Sequence, residues 1–303
     1  MKKYVLSDLH GNGNIYNSIM SYLENVNKED EVILYILGDL IDRGYYSSYM
    51  LLDIKNRIEN NIGFKIVYLG GNHELMMYQE FERRKKGINN YYNDWYYNGG
   101  YVTDDGLYDI LHDKNEILGI VDFISNLKIY HKFKETIDDK EILLVHAASP
   151  INVLDECDLK IKDDNDLVNY LVWTREYDLF IPFRCRIGNK DYFTIIGHTP
   201  NRDFQGFSYH KKEYYLNIDG GVATYVKGYF KYNHFPLVEI CDNYLKILTF
   251  NSNNEIIYGT YFDVKHNNLF TKDELNKENE LLDKSVKIKK LSINEDGIVG
   301  YWK

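Results

Sequence analysis

Asp8, His10, Asp39, Asn72, His146 and His198 each stand within a few residues of the end of a short apolar run. Their donor atoms are carboxylate and amide oxygens and imidazole nitrogens, with no thiolate among them. Such a set suits borderline and hard divalent ions such as manganese, iron or zinc, and not copper(I) or an iron–sulfur cluster. Six donors are too many for one tetrahedral zinc, but they suit two metals that share a bridging carboxylate. A metal pair roughly 3.5–4 Å apart clamps both the attacking and the leaving oxygen of a phosphoryl hydrolysis. Each residue alone has a plainer use. Asp8 could cap the helix that follows, Asn72 could occupy a turn, and a histidine after a strand could bond its own loop. Their recurrence at successive strand ends points to chemistry instead.

The elements that must hold these residues read out of the sequence in order. Tyr4-Val5-Leu6 runs into Ser7-Asp8-Leu9-His10-Gly11, and Ile15, Ile19, Leu23 and Val26 follow at helical spacing. Val32 to Leu37 is wholly apolar and predicts a buried strand, ending at Gly38-Asp39-Leu40-Ile41-Asp42-Arg43-Gly44. A second amphipathic stretch spans about 46–60, and Lys65 to Leu69 forms a third strand that stops at Gly70-Gly71-Asn72-His73-Glu74. Strand, polar loop and helix thus alternate three times, which predicts an α/β architecture with its loops gathered at one edge. Residues 75–86 read as a helix, and about 76–130 as a largely helical insertion capping that edge. Glu141–Val145 restores a buried strand ending at His146, Tyr192–Ile196 leads to Gly197-His198, and Tyr214–Ile218 leads to Asp219-Gly220-Gly221. Two or three plain strands are expected over 237–264. A capping box at Thr271-Lys-Asp-Glu274 opens a helix to about 283, and 285–303 reads as a hairpin turning at Asp296-Gly297.

The chain as a whole bounds the answer further. Its 303 residues carry 36 Lys plus Arg against 46 Asp plus Glu, a net charge of -10, which argues against a nucleic-acid binder. Cys157, Cys185 and Cys241 form no CxxC pair, which argues against a disulfide framework or a structural zinc cluster. The start lacks the apolar core of roughly 7–15 residues of a signal peptide, and no apolar run approaches the roughly 20 residues of a membrane span. A cytoplasmic location, with no membrane partner, is the expectation.

Asp8-Leu-His10-Gly, Gly38-Asp-x-x-Asp-Arg-Gly44, Gly71-Asn-His-Glu74, His146 and Gly197-His198 stand in the order seen in calcineurin-like metallophosphoesterases, which this chain resembles over residues 4 to about 221. The Asp42-Arg43-Gly44 ending is similar to the phosphoprotein phosphatase branch. Trp95-x-x-Asn98-Gly-Gly100-x-x-Thr103 and Leu171-Val-Trp-Thr-Arg175 resemble its bacterial and phage-type members. The resemblance implies a metallophosphoesterase-type β-sandwich flanked by helices; the chain as a whole is read as a catalytic domain over residues 1–264 and an extension over 265–303 packed on it. It also implies two divalent ions, Mn²⁺ foremost with Fe or Zn as alternatives. Asp8, His10 and Asp39 would hold the first, and Asp39, Asn72, His146 and His198 the second. A metal-activated water would attack phosphorus, with His73 as general acid oriented by Asp42. Arg43 and Arg175 would grip the phosphate oxygens. Ser7, where glycine is usual, Ala147-Ala148 after His146, and Asp219-Gly-Gly depart from the family pattern without removing a ligand.

The function implied is a metal-dependent phosphomonoesterase, first a protein serine/threonine phosphatase, whose partner is a phosphoprotein or a phosphorylated small molecule. A dinucleoside polyphosphate hydrolase on the same site is the alternative, with tyrosines 91, 92, 96, 97 and 101 available to stack on a base. A phosphodiesterase or nuclease fits the acidic balance less well, and a catalytically inactive binding protein fits the intact ligand set poorly.

Overall fold

The structure, a computed structural model, describes residues 1–88, 93–137, 139–147, 158–175, 185–187, 190–203, 206–208, 210–211, 214–221, 235–242, 244–250, 256–263, 267–269, 271–282, 292–293 and 299–300. Tyr91, Tyr92, Ala148, Cys157 and the Asp296-Gly297 turn lie outside the described residues.

Two sheets make the frame. The first contains β1 (Lys2–Leu6), β2 (Val32–Ile36) and β3 (Lys65–Tyr68), paired side by side and parallel. The second contains β4 (Tyr130–Ile137), β5 (Lys140–Val145), β6 (Cys185–Ile187) and β7 (Lys190–Ile196), after which β8 (Asn201–Asp203) and β9 (Gly206–Ser208) form a separate antiparallel pair. It continues with β10 (His210–Lys211) and β11 (Tyr215–Asn217), in the order β10-β11-β7-β5-β4 with β5, β7 and β11 parallel. The chain then returns to the first sheet. β12 (Phe235–Cys241) pairs antiparallel with β1, and β13 (Tyr244–Phe250), β14 (Ile256–Asp263) and β15 (Asn267–Leu269) extend the sheet outward. A terminal pair, β16 (Ser292–Ile293) and β17 (Val299–Gly300), is antiparallel, as the expected hairpin requires.

Period-two burial explains why two sheets pack as a sandwich. Val5, Ile33, Tyr35, Val238 and Ile247 of the first sheet meet Phe133, Ile142, Leu144, Phe193, Ile195 and Leu216 of the second in one core. The alternate residues Tyr4, Leu6, Leu34 and Ile36 face the other way, onto Ile15, Ile19 and Leu23 of α1 (Gly13–Val26). Also flanking the sandwich are α2 (Ser47–Asn60), α3 (Asn72–Lys85), α4 (Asp94–Tyr97), α5 (Tyr101–Ile110), α6 (Lys114–Ser125), α7 (Asp166–Trp173) and α8 (Lys272–Glu280). Among the described residues, no helix is long and apolar enough to cross a membrane.

The structure departs from the sequence expectation in two places that matter. Helix α3 starts at Asn72 and not at Leu75, because Glu74 satisfies its free N-terminal amide at Gly71 (2.9 Å). Strand β4 was not expected. A register shift between Lys132 and Thr136 breaks the alternation, leaving Phe133 and Ile137 as its buried residues. The capping box of α8 forms as expected, and the helix is tied to α1 through Glu278, which accepts from the Tyr22 hydroxyl at 2.7 Å.

The sandwich core gives a stability prediction. Phe193 is fully buried between the sheets, and Phe193→Ala is expected to cost about 3–5 kcal/mol, read as a lowered urea midpoint at unchanged slope.

Candidate metal centre

The six parallel strands all end at the same edge of the sandwich, and each hands its next residues to one cluster. Leaving a buried strand for a buried site demands abrupt turns. Asp8, His10, Asp39, Asp42, Arg43 and His198 all have positive φ, and they are six of the nine such non-glycine residues among those described. This conformation is disfavoured for most side chains but tolerated best by Asp, Asn and His. The first two loops also run in direct contact: a Cβ on Gly11 would sit 2.3 Å from the Gly44 carbonyl oxygen.

Glu74 holds these turns in place. It is fully buried, and its two carboxylate oxygens accept from the amides of Asp39 (2.9 Å), Leu40 (3.1 Å) and Gly71 (2.9 Å) and from the Tyr68 hydroxyl (2.6 Å). The sequence marks Glu74 as part of a motif but gives no sign of this role. Ser7 adds a donor to Asp8, whose carboxylate also accepts from the His198 amide at 3.0 and 3.1 Å.

Asp39 is the hub. His10 Nε2 lies 3.5 Å, His73 Nε2 3.8 Å and His146 Nε2 3.3 Å from its carboxylate. Two groups of possible ligand atoms share it, His10–Asp39–His73 and Asp39–His146–His198, all buried. Asn72 Oδ1 joins the second, 3.1 Å from His146 Nε2 and 3.0 Å from His198 Nδ1. Asp8 belongs to neither group in this arrangement, being turned toward the His198 amide. Each of the three histidines at strand ends ties one ring nitrogen to a backbone carbonyl: His10 Nδ1 to Ile41 (3.0 Å), His146 Nδ1 to Leu37 (2.8 Å), His198 Nε2 to Trp173 (2.9 Å). Those bonds fix the tautomer and aim the other nitrogen inward, which is how metal-binding imidazoles are oriented.

The electrostatics suit a cation. Burial, then the nearby Asp39 charge, raises the Glu74 carboxyl, and burial pushes Asp8 up to about 6. Burial with Asp8 beside it holds Asp219 well above the usual carboxylate range. Burial alone would lower His146, yet Asp39, Asp8 and Glu74 together raise it to about 10. Burial and the His146 charge drive His198 down to about 3, and burial with Arg43 holds His10 well below its ordinary value. Crowded carboxylates, inward imidazoles and an amide oxygen are a donor set that divalent cations fit.

Beside Asp39, His73 Nδ1 is 2.6 Å from Asp42 Oδ2. Arg43 spans two rings, its Nη1 at 3.1 Å from His10 Nε2 and its Nη2 at 2.8 Å from His73 Nε2. A guanidinium can only donate, so both ring nitrogens accept. Arg175 Nη1 lies 3.1 Å from the His198 carbonyl oxygen and 3.4 Å from Thr199 Oγ1. Asp219 is buried and accepts from the Gly221 amide at 2.8 Å, close enough to Asp8 to feel its charge.

The sequence profile of the calcineurin-like phosphoesterases matches residues 1–217. The chain belongs to that family. No curated protein sequence matches it. Among solved structures it is similar to the cold-active protein-tyrosine phosphatase of a psychrophilic Shewanella species, at 15% identity over 89% of this chain and 80% of the other, with a TM-score of 0.46. It is also similar to a protein serine/threonine phosphatase from Saccharomyces cerevisiae, at 13% identity over 80% and 73% of the two chains and a TM-score of 0.45. A putative diadenosine tetraphosphatase shares 14% identity over 82% and 93%, with a TM-score of 0.42. The family match stops near the end of β11, while the strands beyond it complete the first sheet.

Two predictions follow from the cluster. Glu74→Gln keeps the shape but replaces one of two accepting oxygens by a donor, so two of four buried partners lose their acceptor. Unfolding free energy should fall by about 2–6 kcal/mol, with weaker metal uptake, measured by urea titration and metal analysis. The second concerns protons. His146 is held protonated up to about 10, so a cation taking its Nε2 must displace that proton. Metal affinity should therefore rise with pH through the neutral range, with about one proton released per protein on loading. Calorimetry in two buffers of different ionisation enthalpy reads this directly, and identical heats in both would contradict it.

Proposed function

We propose that the protein is a metal-dependent phosphomonoesterase of the phosphoprotein phosphatase branch, acting first on phosphoserine or phosphothreonine in proteins. The observation that carries this reading is the His73–Asp42 pair beside the Asp39-centred donors, with Arg43 across it. Asp8, His10 and Asp39 would hold one divalent cation, and Asp39, Asn72, His146 and His198 a second, Mn²⁺ by preference. When bound, such a pair polarises phosphoryl oxygens and lowers the pKa of water toward roughly 7.

The chain's own residues do the rest. Arg43 and Arg175 reach the site from different loops and offer forked donors that match the oxygens of a dianionic terminal phosphate. In moving onto a phosphate, Arg43 releases His73 Nε2. That nitrogen then takes up a proton and delivers it to the leaving alkoxide, while Asp42 keeps Nδ1 in place. General acid catalysis of this kind is typically worth about 10²–10⁴-fold.

A second reading keeps the site and changes the substrate to a dinucleoside polyphosphate. It is favoured by exposed aromatics near in sequence to the Arg43 contacts: Tyr97 (85% exposed) and Tyr101 (53%) stand on either side of Asn98-Gly99-Gly100, and the Asn98 and Gly99 carbonyls accept from Arg43. Tyr96 is less available, because its hydroxyl is engaged with Asp104. A phosphorylated substrate without a nucleic-acid partner is what we infer from the acidic composition.

The test is phosphate release by metal-stripped protein with Mn²⁺ restored, comparing a phosphothreonine peptide with diadenosine tetraphosphate. Mn²⁺-dependent turnover of the peptide is the expected result. Preference for the dinucleotide would move the protein to the second reading, and no metal-dependent hydrolysis of either would overturn both. His73→Asn should lower kcat on the peptide by about 10²–10⁴-fold while the fold survives. Asp39→Asn should lose metal and turnover together, and activity within about tenfold of wild type in both variants would contradict the mechanism.

A further inference from the structure

Asp42 is fully buried, and a buried carboxylate needs donors on both oxygens. Besides His73, those donors come from one place, the helical insertion. Trp95 Nε1, on α4, donates to Asp42 Oδ2 at 2.8 Å, the same oxygen that faces His73 Nδ1. Thr103, on α5, donates from Oγ1 to Asp42 Oδ1 at 2.5 Å, and its oxygen accepts the Asp42 amide at 3.0 Å. One hydroxyl thus fixes both the side chain and the left-handed backbone (φ 71°) of Asp42. Trp95 and Thr103 are themselves buried, at 1% and 0% exposure, so water does not compete for these bonds.

The link between them is shaped for close approach. The Gly99 carbonyl accepts the Arg43 amide at 3.2 Å, and a Cβ on Gly99 (φ +95°) would lie 2.9 Å from Arg43 Cγ. The spacing Trp95-x-x-Asn98-Gly-Gly-x-x-Thr103 therefore brings an indole donor, two carbonyl acceptors and a hydroxyl onto two consecutive residues, Asp42 and Arg43.

We propose that Trp95 and Thr103 are positioning residues for the proton-donating step, acting through Asp42 on His73. The inference rests on the general-acid role given to His73 above. Two separate bonds hold the Asp42 carboxylate in one rotamer, so His73 keeps its ring plane and its Nδ1 proton while Nε2 serves the leaving group.

A group that only supports the fold would slow all substrates alike. A group that sets the general acid matters most when the leaving group is a strong base. Phosphothreonine expels an alkoxide that needs a proton, whereas p-nitrophenyl phosphate expels a stable phenolate that does not. The experiment measures kcat on both with Thr103→Val, which keeps shape and removes the hydroxyl, and with Trp95→Phe, which keeps a ring and removes the donor. Thr103→Ser serves as the rescue, His73→Asn as the reference, and thermal melting confirms folding. Each disabling variant should lose about 10–100-fold on the peptide, a fraction of what general acid catalysis contributes, and less than about threefold on the aryl ester. Thr103→Ser should return the ratio to wild type. Equal losses on both substrates, with His73→Asn discriminating, would overturn this proposal alone. A His73→Asn variant that treats both substrates alike would overturn it together with the general-acid reading.

Discussion

Everything at this site depends on turning six buried strands into one buried cluster without leaving the chain's polar groups unpaired. The solution is a set of left-handed turns, each costing of order 1–3 kcal/mol for a non-glycine residue. They persist because the neighbouring structure over-determines them. Glu74 gathers four donors from three successive segments, and the loop amides of Asp8, His10 and Gly11 find the carbonyls of Gly38, Asp39 and Leu40. The second loop is thereby laid along the first, and the side chains of both aim at the same point. A carboxylate with no chemistry of its own sets the geometry of those that have it.

The same packing concentrates negative charge. Asp8, Asp39, Asp42, Glu74 and Asp219 are all nearly or fully buried within the region. Opposite them stand a protonated His146 and the guanidiniums of Arg43 and Arg175. Carboxyls pushed upward at Asp8, Glu74 and Asp219 register the imbalance. Divalent cations would relieve it, and the inward nitrogens of His10 and His198, and that of His146 once its proton is displaced, stand where such cations need lone pairs, each ring anchored at its other nitrogen. Charge and tautomer agree on the reading that the donor types suggest.

Much of this was legible in the sequence. Short apolar runs, from Tyr4–Leu6 to the six residues of Val32–Leu37, mark the parallel strands, because a strand buried on both faces shows no alternation, and the residues after each run are the cluster. What the sequence hid are relations between distant segments. Strand β4 escaped because a register shift disrupts its period. Glu74 reads as one more motif acid, since nothing local reveals that its partners lie at Asp39 and Leu40. The segment past residue 217, outside the family match, reads as plain strands, and its pairing of β12 against β1 depends on a contact spanning most of the chain. Trp95 and Thr103 were visible as a pattern, but their common target, Asp42, was not.

That last relation separates the site into two halves with different supports. The sandwich and its turns hold the metal-ligand candidates through backbone carbonyls and Glu74. The pair expected to move a proton, His73 and Asp42, is gripped from α4 and α5, elements interposed between α3 and the second sheet. His73 itself bridges the halves, its amide donating to Asp39 Oδ1 at 3.1 Å while its ring faces Asp42. Arg43 joins the halves again, its amide bonded to the Gly99 carbonyl and its guanidinium to His10 Nε2, so a change in α4 or α5 reaches Asp42 and Arg43 before it reaches the metal-ligand candidates.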